Sequence, residues 1–285
     1  MTRDEQYELA RTWGDSDSKP SLAGFDLSGR DLTMVNLKGA DLTGANLSRA
    51  TLVGAALTGA NFTDADLSHA VLNDAGLEKA TLTRAKLIQA TLHETAFTQA
   101  NLWQADLRLA DLTDAMLIGA NLTDADLRAA NFSKANLKGA QFGGAKLNGA
   151  NFTAAKIGGA NLAGVKSMSG LMLKQALLAR ATLNEVNLAG SYLGEANLVE
   201  ADFSKANLGG AFLVKADLRR ATLQKTNLSG AFMVGANLSA ANLTGAMLRG
   251  AVMVGCNLKD AILNEADFSG TDLTDAILPA SHKQE

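Results

Sequence analysis

Apolar residues recur at every fifth position along most of the chain. From Leu22 to Leu162, all 29 such positions carry Leu, Phe or Ile, and from Leu173 to Leu278 all 22 carry Leu, Phe or Met. The residue two places earlier is Ala in 24 of the first set and 16 of the second. The remaining positions are mostly Asp, Asn, Ser, Thr, Gly and charged residues. The repeating unit is therefore Ala, then Asp or Asn, then Leu, then two mostly polar residues.

A period of five matches neither regular secondary structure. An α-helix would spread these leucines around its surface, and a flat strand would alternate them between its two faces. The pattern is satisfied if the backbone bends after each pentad, so that each pentad forms one side of a coil with its Leu and Ala inside. Such a coil grows by stacking, and each unit contacts only its neighbours. We therefore expect a solenoid, although 285 residues would otherwise suggest two domains.

The repeating unit resembles the pentapeptide-repeat family, whose consensus is Ala-(Asp/Asn)-Leu-X-X. It is first clean from Ala40 to Arg49, and the resemblance covers Leu22 to Leu278. The resemblance implies an all-β fold, a right-handed quadrilateral parallel β-helix with four pentads in each coil. With coils about 4.8 Å apart, the pentads would form about 13 coils in a rod roughly 60 Å long.

The N-terminal segment, residues 1–21, lies outside the repeat. Between Asp4 and Trp13, the side chains of Tyr7, Ala10 and Trp13 would share one helical face. Because terminal repeats need a cover, we predict a short N-terminal capping helix over the first coil.

The period slips once, because Leu162 and Leu173 are eleven residues apart instead of ten. Ser and Gly in this stretch favour one extra residue bulged outward, in which case the side carrying Phe152 continues through Leu173. A loop or hinge that bends the rod is the alternative. The predicted order after the cap is a first repeat segment, the phase break, a second repeat segment and a polar tail, at residues 22–164, 165–172, 173–278 and 279–285.

Charges are nearly balanced and interspersed, with 26 Lys and Arg against 29 Asp and Glu. Since no basic stripe is present, we expect no direct nucleic-acid binding. No signal-peptide pattern and no stretch of about 18 apolar residues is present, so we expect a cytoplasmic protein without membrane contact.

The sequence offers little catalytic chemistry. His69, His93 and His282 fall on outward positions or in the tail, whereas a metal site needs converging ligands. Cys256 is the only cysteine and falls on an inward position, which predicts a packing role without a disulfide. We therefore expect no enzyme activity and no catalytic, cofactor-binding or metal-binding residues.

One series of outward positions in the second segment is apolar where the repeat is usually polar. At intervals of 20 residues, the length of one four-sided coil, these positions fall on one side and form a candidate interaction surface. We call it the apolar stripe; its members are Met172, Tyr192, Phe212, Val214, Phe232, Val234, Val252 and Val254. Two alternatives are that the break segment covers part of the stripe and that the repeat tolerates apolar ladders.

These features favour a rigid, non-enzymatic scaffold for protein–protein interaction, with a protein partner whose identity the sequence does not give. The resemblance implies an alternative, because some family members imitate B-DNA and bind DNA gyrase or topoisomerase IV, protecting them from toxins or quinolones. That role needs a strongly acidic surface. Here bases interrupt the acids within a screening length of about 8 Å, on a side that carries Asp66, Lys86, Asp106, Arg108, Asp126, Arg128 and Lys146.

Family members also often dimerise end to end. Pro279 stops the ladder after Leu278, and no amphipathic helix follows. Because open sheet edges invite pairing with another chain, we expect a homodimer through the C-terminal coils.

Overall fold

The computed structural model describes residues 1–162, 164–165, 168 and 170–280. It consists of two compact units, Met1–Lys146 and Leu147–Glu285, and each is described by itself. The regular helices are α1 at Arg3–Thr12 and a 3-10 turn at Trp13–Asp15. All other regular structure in the described residues consists of single-residue parallel β-bridges.

The bridges show that each coil of the first unit has four sides. Asp26, Asp31, Asn36 and Asp41 each pair in parallel with the residue 20 positions later, and the series then repeats up to Lys146. Each side contributes one bridge residue followed by an inward Leu. The chain then turns: the N–H of Ala45, for example, donates to the Leu42 carbonyl at 3.0 Å. The predicted bend after every pentad is therefore confirmed.

Hydrogen bonds between successive coils hold the stack together. The Leu27 N–H donates to the Asn46 carbonyl (2.7 Å), and the Asn46 N–H donates back to the Phe25 carbonyl (2.8 Å). The Asn46 side chain in turn accepts from the N–H of Ser48 at 3.1 Å. This last bond explains the Asp or Asn of the motif, because its side chain satisfies a backbone N–H that no other coil reaches.

The core is a column of Leu and Ala. Leu107 and Ala105 are fully buried, as are nearly all their equivalents in the repeats. Two such residues from each of four sides share the interior, which leaves room for only one large side chain per side. Thr95 replaces an inward Ala, and its hydroxyl donates to the Leu72 carbonyl at 2.8 Å. That bond confirms the prediction that Thr is tolerated by bonding to the backbone.

Helix α1 covers the first coil of the first unit. Its N-terminus has a capping box between Thr2 and Glu5. The Tyr7 hydroxyl donates to the Asp31 carbonyl at 2.9 Å. The Gln6 side chain accepts from the Asp26 N–H at 2.8 Å, where an earlier coil would otherwise accept. The helix therefore satisfies ladder groups that the first coil would leave open.

The second unit keeps the four-sided ladder across the phase break. Asn151 pairs with Met172, a step of 21 residues, and Met172 pairs with Tyr192, a step of 20. The Phe152 N–H donates to the Met172 carbonyl at 2.7 Å, so the side carrying Phe152 does continue through Leu173. Residues 163, 166, 167 and 169 lie outside the described part, and with them much of the choice between bulge, loop and hinge. The segment boundaries and the number of coils stay predictions.

The last coil of the second unit is less buried than the others. Phe268, Leu273 and Leu278 occupy inward positions but remain partly exposed. Residues 281–285, which contain His282 and most of the predicted polar tail, lie outside the described residues. Within the described part of the chain, no helix has the length and apolar character needed to cross a membrane.

Two leucines separated by one residue test the core. Leu107 is fully buried, whereas Leu109 is 55% exposed at a corner. We expect Leu107→Ala to destabilise the protein by about 2–5 kcal/mol, since it removes buried apolar atoms and leaves a cavity. Leu109→Ala should stay within about 0.5 kcal/mol of the parent. The two urea-unfolding midpoints measure this, and equal losses would contradict the arrangement.

Candidate interaction surface

The second unit brings the predicted apolar stripe together on one side. Met172, Tyr192, Phe212, Phe232 and Val252 form an unbroken chain of parallel bridges. Val214, Val234 and Val254 lie two residues after their bridge residues, on the same side. Because parallel pairing is in register, equivalent side chains stand one above another at about 4.8 Å. All eight predicted residues therefore share one surface.

The aromatic members form a continuous stack. The Tyr192 and Phe212 ring centroids are 5.0 Å apart and the Phe212 and Phe232 centroids 5.1 Å apart, each pair with 6° between ring planes. Exposure is 51% for Tyr192, 36% for Phe212 and 42% for Phe232. Val214 and Val234 are also exposed, and Val252 and Val254 are half-buried. The described residues leave the stripe open to solvent, which argues against a covering segment among them.

The stripe lacks the side-chain cap that other repeats have. Where the bridge residue is Asn, as at Asn207, its side chain accepts from the N–H two residues later (Gly209, 3.1 Å). Tyr, Phe and Val cannot accept such a bond. The N–H groups concerned have no acceptor among the described residues; they belong to Gly194, Val214, Val234 and Val254. The surface thus combines apolar side chains with a row of backbone donors.

The corner that leads into the stripe carries no side chains. It is formed by five glycines with φ of 64–67°, namely Gly190, Gly210, Gly230, Gly250 and Gly270. Positive φ favours glycine, but this alone does not explain the column. Equivalent turns elsewhere in the unit accept Glu185 (φ 60°) and Lys205 (φ 59°). Another molecule could approach the ring stack over this corner without meeting long side chains.

Charge on the stripe is confined to its two ends. Lys174 follows Met172 in the first row, and Asp272 and Asp275 belong to the row after Val252 and Val254. Asp272 accepts hydrogen bonds from the Thr274 hydroxyl and N–H, which lower the pKa of its carboxyl. It is therefore ionised near neutral pH. The stripe has a positive end and a negative end.

Acids on the other sides are largely paired with bases. In the first unit, Arg108 and Arg128 form ion pairs with Asp106 (2.7 Å) and Asp126 (2.6 Å). In the second unit, the hydrogen bond from Arg219 holds the pKa of Asp217 below its usual value. These pairs carry out the charge cancellation that the interspersed sequence predicts.

Sequence reasoning missed one neighbour of the stripe. Leu177 is an exposed bridge residue on the adjacent side, one pentad after Met172. Its apolar character at a bridge position was the available signal, but the next residue of its column, Asn197, is polar. It therefore extends the apolar surface at one corner only.

The residues considered for chemistry do not form a catalytic site among the described residues. The His93 Nε2 and Asp111 Oδ2 atoms are 2.7 Å apart, and no group of three His, Cys, Asp or Glu could hold a metal in the part that is described. Cys256 is fully buried, and its thiol donates to the Met233 carbonyl at 2.9 Å. Its inward placement agrees with the packing role.

A four-sided coil built from pentads defines a β-helix of pentapeptide repeats. The pentapeptide-repeat family profile matches eight segments of the chain, so the chain belongs to the pentapeptide-repeat family. The matched segments are residues 21–59, 55–99, 90–128, 130–166, 181–220, 201–239, 216–253 and 241–278.

Solved structures include similar proteins. HetL, a pentapeptide-repeat protein involved in heterocyst differentiation regulation in the cyanobacterium Nostoc sp. strain PCC 7120, is 31% identical over 90% of this chain and 91% of its own, with a TM-score of 0.38. Rfr23 from the cyanobacterium Cyanothece 51142 is 35% identical over 32% of this chain and 63% of its own (TM-score 0.32). QnrB1, a plasmid-mediated fluoroquinolone resistance protein, is 21% identical over 74% of this chain and 90% of its own (TM-score 0.30). No curated protein sequence matches the chain.

The thiol of Cys256 provides a test of burial in the second unit. Burial raises its pKa to about 11, from about 8.5 in an unfolded chain. Because the folded value is the higher one, the contribution is fully present below about pH 8.5 and is lost as the pH rises towards 11. We expect iodoacetamide at pH 8 to alkylate the folded protein at less than about 1% of the rate in guanidinium. Equal rates would place the thiol at the surface; Cys256→Ala should lack the alkaline loss of stability.

Proposed function

We propose that the protein is a non-enzymatic scaffold that binds another protein through the apolar stripe. The observation that carries this proposal is the exposed stack of Tyr192, Phe212 and Phe232 beside the valine ladder. Contiguous exposed apolar patches are uncommon on monomeric proteins and mark interaction sites. Aromatic side chains anchor such interfaces because they bury a large area at a small cost in conformational entropy.

The backbone under the stripe supports this role. Every row is held by ladder bonds of ordinary length, such as the Leu213 N–H to the Phe232 carbonyl at 2.7 Å. The inward residues beneath, Leu193, Leu213 and Met233, are fully buried. The surface is therefore pre-organised, and binding requires little ordering of the chain.

The scaffold function is better supported than imitation of DNA. A protein that imitates DNA must present unpaired negative charge at regular intervals, whereas Asp106, Asp126 and Asp217 are bound by arginines two residues later. An internal ion pair leaves little field beyond a screening length of about 8 Å. The low TM-score of QnrB1 adds no support for a shared partner.

We further propose that the C-terminal coils mediate pairing of two copies. The partly exposed Phe268, Leu273 and Leu278 lie at inward positions, and apolar side chains beside a ladder edge favour contact with a second chain. Sedimentation that gives a monomer at micromolar concentration would contradict this pairing.

A triple substitution tests the stripe. Tyr192→Ser, Phe212→Ser and Phe232→Ser together should abolish stripe-dependent association, because they remove the aromatic anchors while the buried core stays intact. A control with Met34→Ser, Leu109→Ser and Met116→Ser removes exposed apolar residues from the first unit. Sedimentation and capture of partners from the source cell compare both with the parent. Self-association and capture that survive the stripe change would discard the proposed function.

A further inference from the structure

The apolar stripe has the spacing of a β-sheet face, and this limits what can cover it closely. Its rows repeat at the coil spacing, as the ring separations of 5.0 and 5.1 Å indicate. Two sheet faces with the same repeat can interdigitate their side-chain ladders into a dry interface. An α-helix, with a pitch of 5.4 Å, loses this register within a few rows.

A matching apolar ladder is present in the chain itself. Resting on the proposed binding role of the stripe, we propose that its occupant is the stripe of a second copy, packed face to face and antiparallel. The twofold axis lies between the rows of Phe212 and Phe232. Such an interface is isologous, so each contact occurs twice.

The charged ends of the stripe set the direction. In the antiparallel arrangement, the row of Met172 and Lys174 faces the row of Asp272 and Thr274 of the second copy, with Asp275 beside it. Each end then joins a cation to acids. A parallel arrangement would place Lys174 beside a second Lys174 and Asp272 beside a second Asp272, and like charges across an interface disfavour association.

Side-chain size also matches in the antiparallel arrangement. The row of Tyr192 contains Gly194, and it faces the row of Val252 and Val254. The larger residue of one row therefore lies over the smaller residues of the other. The two central rows, each with a Phe and a Val, face one another.

The available area predicts a weak dimer. At roughly 200 Å² for each aromatic side chain, the exposed fractions of the three rings provide on the order of 250 Å². The methionine and the valines raise this to about 500 Å² per copy, so a dimer would bury about 1,000 Å², the lower limit for a specific interface. We expect a dissociation constant in the micromolar range.

Cysteine cross-linking of the full chain tests the arrangement. Lys174 and Thr274 are exposed, and Cys256 is buried and contributes no background. Across an antiparallel interface, position 174 faces position 274 of the second copy, within the 7 Å or so between Cα atoms that a disulfide allows. The two copies of position 174 are about 24 Å apart, at five rows of about 4.8 Å.

The expected result is a disulfide-linked dimer with Lys174→Cys and Thr274→Cys in one chain, and none with either substitution alone. The stripe triple-serine change in the double-cysteine chain should reduce the dimer at least tenfold, which separates a specific contact from random collision. Dimer from Lys174→Cys alone would mean parallel pairing, and dimer from Thr274→Cys alone would mean pairing of C-terminal coils. Either result, or no dimer in any variant, overturns this proposal.

A charge exchange gives a second measurement by sedimentation. Lys174→Asp should weaken association several-fold at low salt. Adding Asp272→Lys and Asp275→Lys in the same chain should restore it, because both ends are exchanged together. Failure of the exchange to restore association also counts against the antiparallel dimer. The proposed scaffold function survives such failures if capture of another protein still depends on the stripe.

Discussion

The ladder of hydrogen bonds between successive coils is the constraint on which the other features depend. Each bridge residue both donates to and accepts from its neighbours, as Asn46 does through Phe25 and Asp66. The ladder closes only if the chain turns after every pentad, and the turn places Leu and Ala inside. Apolar burial then stabilises the stack by roughly 2 kcal/mol for each leucine. Neither the core nor the ladder would form without the other.

This constraint leaves the outward positions free to vary, and the apolar stripe uses that freedom. Asn or Asp at a bridge position contributes a hydrogen bond to the backbone worth about 1 kcal/mol. Phe212 and Phe232 give up that bond and gain a stacked contact of similar magnitude. Because the exchange is nearly neutral for folding, stability does not account for an apolar ladder over consecutive rows. Its exposed ring edges and open N–H groups are better explained by contact with another surface.

The repeat made most of the fold predictable. The period identified the inward residues, and the 20-residue coil brought Met172, Tyr192, Phe212 and Phe232 together before any coordinates were considered. Contacts of irregular segments were not predictable in the same way. Helix α1 was expected, but the acceptance of the Asp26 N–H by Gln6 was not, since no period links an N-terminal arm to a coil. The glycine corner was readable at the same spacing, yet its meaning depends on the ring stack beside it.

The phase break shows how the ladder protects the surface built on it. The step from Asn151 to Met172 is 21 residues, and the ladder returns to 20 at Tyr192. If the extra residue had shifted the register of the following rows, every later side chain would have moved to another position, and inward leucines would have faced water. The cost of exposing those leucines exceeds the cost of accommodating one residue outside the ladder. The same preference that buries Leu173 therefore places Met172 in line with Tyr192 and gives the stripe its first row.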